Sequence, residues 1–492
     1  NAEKLIVTFT SNNPTYEPDG LTFYITVTDA NGGSYQKVVG RNAPAGTRDR
    51  LTQLGARKWG YTWVMDSLDP SEGGFCAQTG LTGGTSIGIQ LRVTSSNVLV
   101  EEKRKTANTN SLFAYREGAD ADTAYITYGR HLQNLDRATS GVSERITKAV
   151  QLSDISFADD TSSRTDWYTY YTEKGIGFQP ITNPNLTSYT GSTQKDDGGK
   201  FYASIYNLTI GAPADGESGE RGLFAAFSGT MRDVTMTGTR ILGGQHTGAL
   251  IASASGETVL ENCRVYLSER RGDLTAAGKA QSPDGLTPWL QGSIAGGLIG
   301  MTVPGSNVTI TGSFAATVIQ AERQAGGLVG LVGGALQIQN AYSDCYLTSA
   351  QTGGIAGSSA GGSISAESFY TAGYQSAADV ASGFVPDAMT SAKNGYSACS
   401  YHTQPNAEPT IYATAPSGAM ENVYYLAEAG VNAGLDVGTE KSYLTLSSAE
   451  EVAQLGLGTA FTMSSGSASY PYNLMEQGLS YYTYPRLAAL DH

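Results

Sequence analysis

The sequence is short of charge and of the residues that carry most chemistry. Only 15% of its 492 residues are Asp, Glu, Lys or Arg, and there are four histidines and four cysteines. The histidines, His131, His246, His402 and His492, form no HExxH pair, so neither a zinc peptidase centre nor a multi-histidine metal site is expected. Cys76, Cys263, Cys345 and Cys399 are too few and too dispersed for a disulfide framework. A GxxxxGK[ST] phosphate loop, an EF-hand loop and calcium-binding nonapeptides are all missing, so the expectation is no cofactor and no metal. No apolar run reaches 18 residues, and strand-like sequence begins almost at Asn1, so neither membrane insertion nor a leader is expected within these residues. Both ends read as the boundaries of a piece of a larger protein. Lys and Arg total 31 against 45 for Asp and Glu, a net charge of −14, which repels polyanions. Nucleic acid and anionic membrane are therefore excluded as expected partners.

What is abundant is glycine, with 61 residues, and tyrosine, with 29. The glycines are organised: GGLIG (296–300), GGLVG (326–330) and GGIAG (353–357) recur, and GLFAAF (222–227) and GALIA (248–252) are degenerate copies. Aligned on Leu223, Leu250, Leu298, Leu328 and Ile355, the copies are spaced by 27, 48, 30 and 27 residues, one unit per 27 or so with one long insertion. Self-similarity at such a period predicts a solenoid. Each unit reads as a glycine bend followed by a strand such as TVLENCRVYL (258–267) or ALQIQNAYSDCYL (335–347). In a parallel β-solenoid each strand pairs with its equivalent one coil away, inward positions are small or aliphatic, and corners use glycine. At about 4.8 Å per coil, about eight or nine coils make a rod on the order of 40 Å long. Cys263 and Cys345 occupy similar places in their units, separated by about three coils, so both are expected as small buried side chains and not as a bridge.

Upstream, residues 1–122 lack the repeat and show alternating strands, LIVTFT (5–10), LTFYITVT (21–28), YTWVMDSL (61–68) and IGIQLRVTSSNVLVEE (87–102), which predicts a β-sandwich-like domain. KRKTANTN (103–110) reads as a solvated hairpin or loop. Around Leu132 and Leu135 a short helix is expected to cap the solenoid, which would occupy 123–382. Residues 383–492 are expected to hold the last coil and a C-terminal cap, with a helix at SSAEEVAQL (447–455) and an aromatic segment, 469–487, over the open end.

The Gly-Gly-Leu-Val-Gly units, together with HLQNL, AVQLSDISF, FQPI and YNLTI, resemble the GLUG-motif family over about 126–380. That family comprises repeat regions of secreted or wall-attached bacterial surface proteins, including adhesin-like proteins and non-catalytic repeats of some immunoglobulin-A-cleaving metallopeptidases. The resemblance implies an all-β fold built on a right-handed parallel β-solenoid, on an exported protein, and supplies no catalytic residue. The tail motifs FTMSSGSASYPYN and YYTYPRL are also similar to the ends of large surface proteins of anaerobic gut-type Firmicutes.

Patterns with the outline of chemistry are few on this frame. GSSAG (357–361) has the form of a nucleophile elbow, and Ser359, Asp387 and His402 follow in hydrolase order. The repeat accounts for it, since Ser359 sits where Thr302 and Leu331 sit in the preceding copies. Asp159-Asp160 and Asp196-Asp197 have the composition of solvated turns. Asp233 and Glu261 fall in equivalent strand halves, where stacking about 4.8 Å apart would couple their titration. Thr235, Thr237, Thr309 and Thr311 do not recur at one position per unit, which argues against an ice-matching face. The insertion 268–292 is charged and out of period, so a projecting loop is expected. The candidate ligand-binding surface is therefore Asp233, Glu261, Arg270, Arg271 and Trp289. The functional expectation is a non-enzymatic extracellular surface module, adhesin-like or a structural spacer. Its partner would be a host or bacterial surface glycan or protein, or further copies of itself. A polysaccharide-processing β-helix enzyme and a self-assembling surface fibre are the alternatives.

Overall fold

The computed structural model describes residues 4–10, 21–29, 34–40, 52–55, 58–64, 86–95, 98–108, 122–126, 129–133, 135–136, 146–152, 154–157, 178–191, 204–211, 219–266, 289–387, 389–403, 410–412, 418–426, 438–442, 454–457, 461–462 and 486–487. The chain divides into two compact units, residues 1–147 with 161–167, and residues 148–160 with 168–492.

The first unit holds two antiparallel sheets. In one, Lys58–Val64 lies between Lys4–Thr10 and Thr52–Gly55; the other runs in the order Ser34–Gly40, Leu21–Asp29, Ser86–Ser95, Val98–Asn108. Alternation explains the second sheet: Phe23 and Ile25 are buried while Thr22, Tyr24 and Thr26 between them are half-buried. Ser34–Gly40 and Thr52–Gly55 are strands that the sequence pattern does not announce, and residues 103–108, expected as a hairpin or loop, form one arm of the hairpin between Ser86–Ser95 and Val98–Asn108. The expected short helix is present as Gly129–Gln133, within this unit, with Leu132 and Leu135 buried.

The second unit is a parallel β-solenoid of about eight turns. One ladder runs Lys148–Gln151, Ser188–Thr190, Phe224–Arg232, Ile251–Glu261, Asn307–Thr311, Ala335–Gly353, Ser363–Val385, Ser391–Thr403 and Met420–Leu426, each in register with the next. Its inward column tapers: Tyr189, Met231, Leu260, Ile310, Ile338, Ala366 and Ala392 are successive rungs and all are buried. A side chain facing inward on every coil must fit against its own copy one rung away, which selects aliphatic and small residues. Tyr189 keeps its hydroxyl satisfied by donating to Gln151 Oε1 at 2.7 Å.

The repeat extends beyond the glycine motif in both directions. Ile181 donates to the Leu223 carbonyl and Ile355 to the Phe384 carbonyl, both at 2.9 Å. FQPI (178–181) and Ser382–Val385 thus occupy the bend position of further coils, without the full motif. Cys263 and Cys345, expected at equivalent places, lie in different columns: Cys263 shares its column with Ser313 and Ala341, and Cys345 faces Gly373. Both are buried and free, as is Cys399.

A corner column follows the first ladder. Asp233, Asn262, Gly312, Asn340, Ser368, Asn394 and Asn422 succeed one another with φ between 52° and 57°. This left-handed backbone suits Asn, Asp and Gly, and bonds such as Asn422 Nδ2 to Asn394 Oδ1 at 2.9 Å tie side chains between rungs.

The glycine motif serves a different end. At Gly296 and Gly326 a Cβ would fall within about 2 Å of the carbonyl oxygens of Ile299 and Val329, and at Gly330 one would lie 2.9 Å from the Ala295 backbone. The two arms of each bend therefore pack backbone to backbone, while Leu250, Leu298, Leu328 and Ile355 at the tip are buried. In the C-terminal part, Thr439–Lys441 extends the solenoid and Phe461–Thr462 pairs antiparallel with Arg486–Leu487. The helix expected at 447–455 lies outside the described residues except for Gln454 and Leu455, which stand in a turn, and most of 469–487 lies outside them too.

Candidate functional site

The expected stack of Asp233 on Glu261 is not formed. Glu261 is in register with Arg232, and Asp233 with Asn262, so the two carboxylates are offset by one residue. Glu261 Oε2 accepts from Arg232 Nη2 at 2.6 Å and from Nε at 2.8 Å. Asp233 occupies the left-handed corner and accepts from Asn262 Nδ2 at 3.2 Å. Burial raises its pKa, partly opposed by that hydrogen bond and by Arg232. Both acids are thus committed to the wall.

The insertion is shorter than expected. Trp289 donates to the Val318 carbonyl and accepts from Ile241, and Leu290–Gly296 is a wall strand. Arg270 and Arg271 lie outside the described residues, as do Asp159-Asp160 and Asp196-Asp197. Of the five expected surface residues, Asp233, Glu261 and Trp289 are the ones the structure describes.

The hydrolase-like order also resolves into architecture. Ser358 Oγ donates to Asp387 Oδ2 at 2.6 Å, and the Ser359 amide donates to the same oxygen at 2.7 Å, a carboxylate closing a bend. Ser359 faces Val332, one residue past Leu331, while the backbone of His402 is in register with Ser376. His246 stands in the strand His246–Gly248, with Nδ1 2.8 Å from Glu220 Oε1; Ser253 Oγ donates to Glu220 Oε2 at 2.7 Å. Here the carboxylate bridges the serine and the histidine, so the histidine does not face the hydroxyl it would have to activate. Among the described residues no group of three or more His, Cys, Asp or Glu could hold a metal ion. Burial pushes the Cys263 thiol up to about 12, which leaves it protonated and unreactive.

The most distinctive surface was not anticipated. Phe314, Tyr342, Tyr370 and Tyr396 are successive rungs with ring centroids 4.7, 4.7 and 5.1 Å apart and planes within 6° of parallel. Their neighbours fix which way they point. Ser343 Oγ donates to Gly354 O and Thr371 Oγ1 to Gly383 O, both across the core, so residues 343 and 371 face inward and the rings face outward. Yet the rings are buried, because Leu426, Leu455, Leu457 and Phe461 pack on them, with Phe461 5.8 Å from Tyr370. The next outward column on the same face is Ala316, Asp344, Ala372 and Ala398. Asp344 has no hydrogen bond or ion pair among the described residues. It is half-buried, and desolvation pushes its carboxyl up to about 7. Aromatics recurring every 26 or 28 residues, from Phe314 to Tyr396, were the sequence signal for this face.

No family model matches the chain, so the GLUG-type resemblance rests on the repeated motif alone. No solved structure matches it either. The chain is similar to halomucin of Haloquadratum walsbyi, 25% identical over 265 residues, which is 53% of this chain and only 2% of that protein's length.

Proposed function

We propose that this chain is a non-enzymatic extracellular surface module, in which the solenoid acts as a stiff spacer that presents its wall to a glycan or protein on a host or bacterial surface. The observation that carries this reading is how the wall uses its charges. Arg232 bridges to Glu261 one rung away, and Lys393 lies 4.0 Å from Glu367 and 3.7 Å from Glu421 on the rungs before and after it. Carboxylates paired with cations from rung to rung belong to the wall itself and are not held as the acid and base that glycoside cleavage needs. The similarity to halomucin, over a small fraction of that protein, is consistent with a segment of a long chain.

The test uses the full chain on a glycan and surface-protein array, alongside a turnover assay on the same glycans. Binding without product formation is expected. Cleavage that Asp233→Asn abolishes would replace this reading with a polysaccharide-processing enzyme.

A further inference from the structure

One corner of the solenoid holds a cation that nothing on the chain answers. Arg240 Nε is enclosed without a hydrogen-bond partner, and so is Thr237 Oγ1 three residues before it. A buried polar group left unmet costs free energy, most of all when it carries charge, so the pair at this corner calls for a partner from outside the chain. Met236 and Ile241 are fully buried and point into the core, so Thr237 and Arg240 beside them face outward, on either side of the turn at Gly238. Thr237 is 2% exposed because it lies in register between Tyr206 and Tyr266.

Arg240 belongs to an outward column that continues into Trp289. Thr209 is in register with it on the rung before, and Trp289 on the rung after, since Ile241 pairs with Leu290 and donates to the Trp289 carbonyl. Successive rungs are about 4.8 Å apart, so Arg240 and Trp289 are next neighbours along the wall. Each is half-buried, and among the described residues neither the guanidinium nor the indole N–H has a hydrogen bond, ion pair or ring contact. Arg232 and Lys393, by contrast, are paired with carboxylates on adjoining rungs. Gln291, two residues beyond Trp289 on the same outward side, and Gln320, in register with it one rung on, set a pair of amides beside the indole.

We propose that Arg240 and Trp289 form a subsite for a carboxylate-bearing sugar, with Gln291 and Gln320 meeting the ring hydroxyls and Thr237 at its edge. This names the ligand class for the glycan reading above and rests on it. A planar guanidinium matches a carboxylate with two parallel hydrogen bonds. The indole supplies a flat apolar face for the body of the ring and a polar edge beside it, and the amides both donate to and accept from hydroxyls. An acidic peptide fits less well, because a peptide laid on a sheet pairs with a free strand edge. Here Arg240–Ile241 is already paired with Thr209–Ile210 on one side and with Leu290 on the other. The net charge of −14 repels polyanions, so the acidic groups of the partner stand apart among neutral sugars.

The test titrates the full chain, by isothermal calorimetry, with two acidic sugars, sialyllactose and a disaccharide ending in glucuronic acid, and with their methyl esters, lactose and an acidic peptide. At least one acidic sugar is expected to bind, about tenfold or more tighter than its ester, and to weaken as salt is added. Arg240→Gln should cost that sugar about tenfold or more and leave lactose within about twofold, while Trp289→Ala should weaken both. Circular dichroism checks that each variant keeps its fold. The wild-type comparison of acid with ester needs no variant, and equal affinities there would overturn the subsite. So would failure of both acidic sugars to bind, wild-type affinity in Arg240→Gln, or tighter binding of the acidic peptide than of any sugar. Array ligands that neither variant affects would overturn the subsite and leave the surface-module reading standing, whereas turnover of the bound sugar would overturn that reading and not the subsite.

Discussion

Replacing Gly327 with alanine tests the claim that the repeated glycines are there for space. Its φ is not positive, so any L residue could adopt the backbone; the obstacle is that a Cβ would lie 2.1 Å from the Gly354 carbonyl oxygen and 2.5 Å from Ser343 Oγ. An ordinary carbon-to-oxygen contact is about 3.3–3.6 Å, so the neighbouring coil must retreat by more than about 1 Å. It is held by ladder bonds from Gly327 to Gly353 and from Gly354 to Ser382, 3.0 and 3.1 Å long. Overpacking of this kind costs about 1–3 kcal/mol, and disturbing the buried bond from Ser343 to Gly354 adds about 1 kcal/mol. Gly305 is the control, with φ of 81° and no atom within 4 Å of where an alanine methyl would stand. There the cost is conformational, about 1–2 kcal/mol for alanine, and asparagine should recover part of it while failing at position 327. Urea unfolding followed by circular dichroism measures both, with hydrogen exchange as a local check because coils can open separately. The reasoning is refuted if Gly327→Ala destabilises no more than Gly305→Ala, or if Gly327→Asn is milder than Gly327→Ala.

Further expectations rest on the wall. Arg232→Ala removes an ion pair whose side chains are 50% and 34% exposed, so the loss should be below about 1 kcal/mol and should shrink further in high salt. Asn340, with φ of 52°, should tolerate glycine within a few tenths of a kcal/mol and lose about 1 kcal/mol as alanine, read from urea midpoints. The array should return binding without turnover.

The period of the glycine bends, with Leu298, Leu328 and Ile355 at their tips, made the parallel solenoid legible in the chain, because a local bend repeated at constant spacing forces coils into register. The same spacing failed at its ends. FQPI fills the bend with no glycine at all, and residues 382–385 keep one, Gly383, where a Cβ would lie 2.6 Å from Ser397 Oγ. It also failed by a single residue at Asp233 and Glu261, and one residue separates a corner from a strand.

Read along the chain alone, the repeat establishes the length of a coil, and therefore the fold, together with the lack of a recognisable catalytic motif; the residue-by-residue register and the asparagine column at the corner do not follow from it. Which face of each strand points outward, and what covers it, emerges only from the folded contacts. The stacked rings from Phe314 to Tyr396 read equally well as core or surface, because alternation records two faces without saying which is inside. Contact with Leu455, Leu457 and Phe461, more than 50 residues away in the chain from every ring of the ladder, is what buries that face.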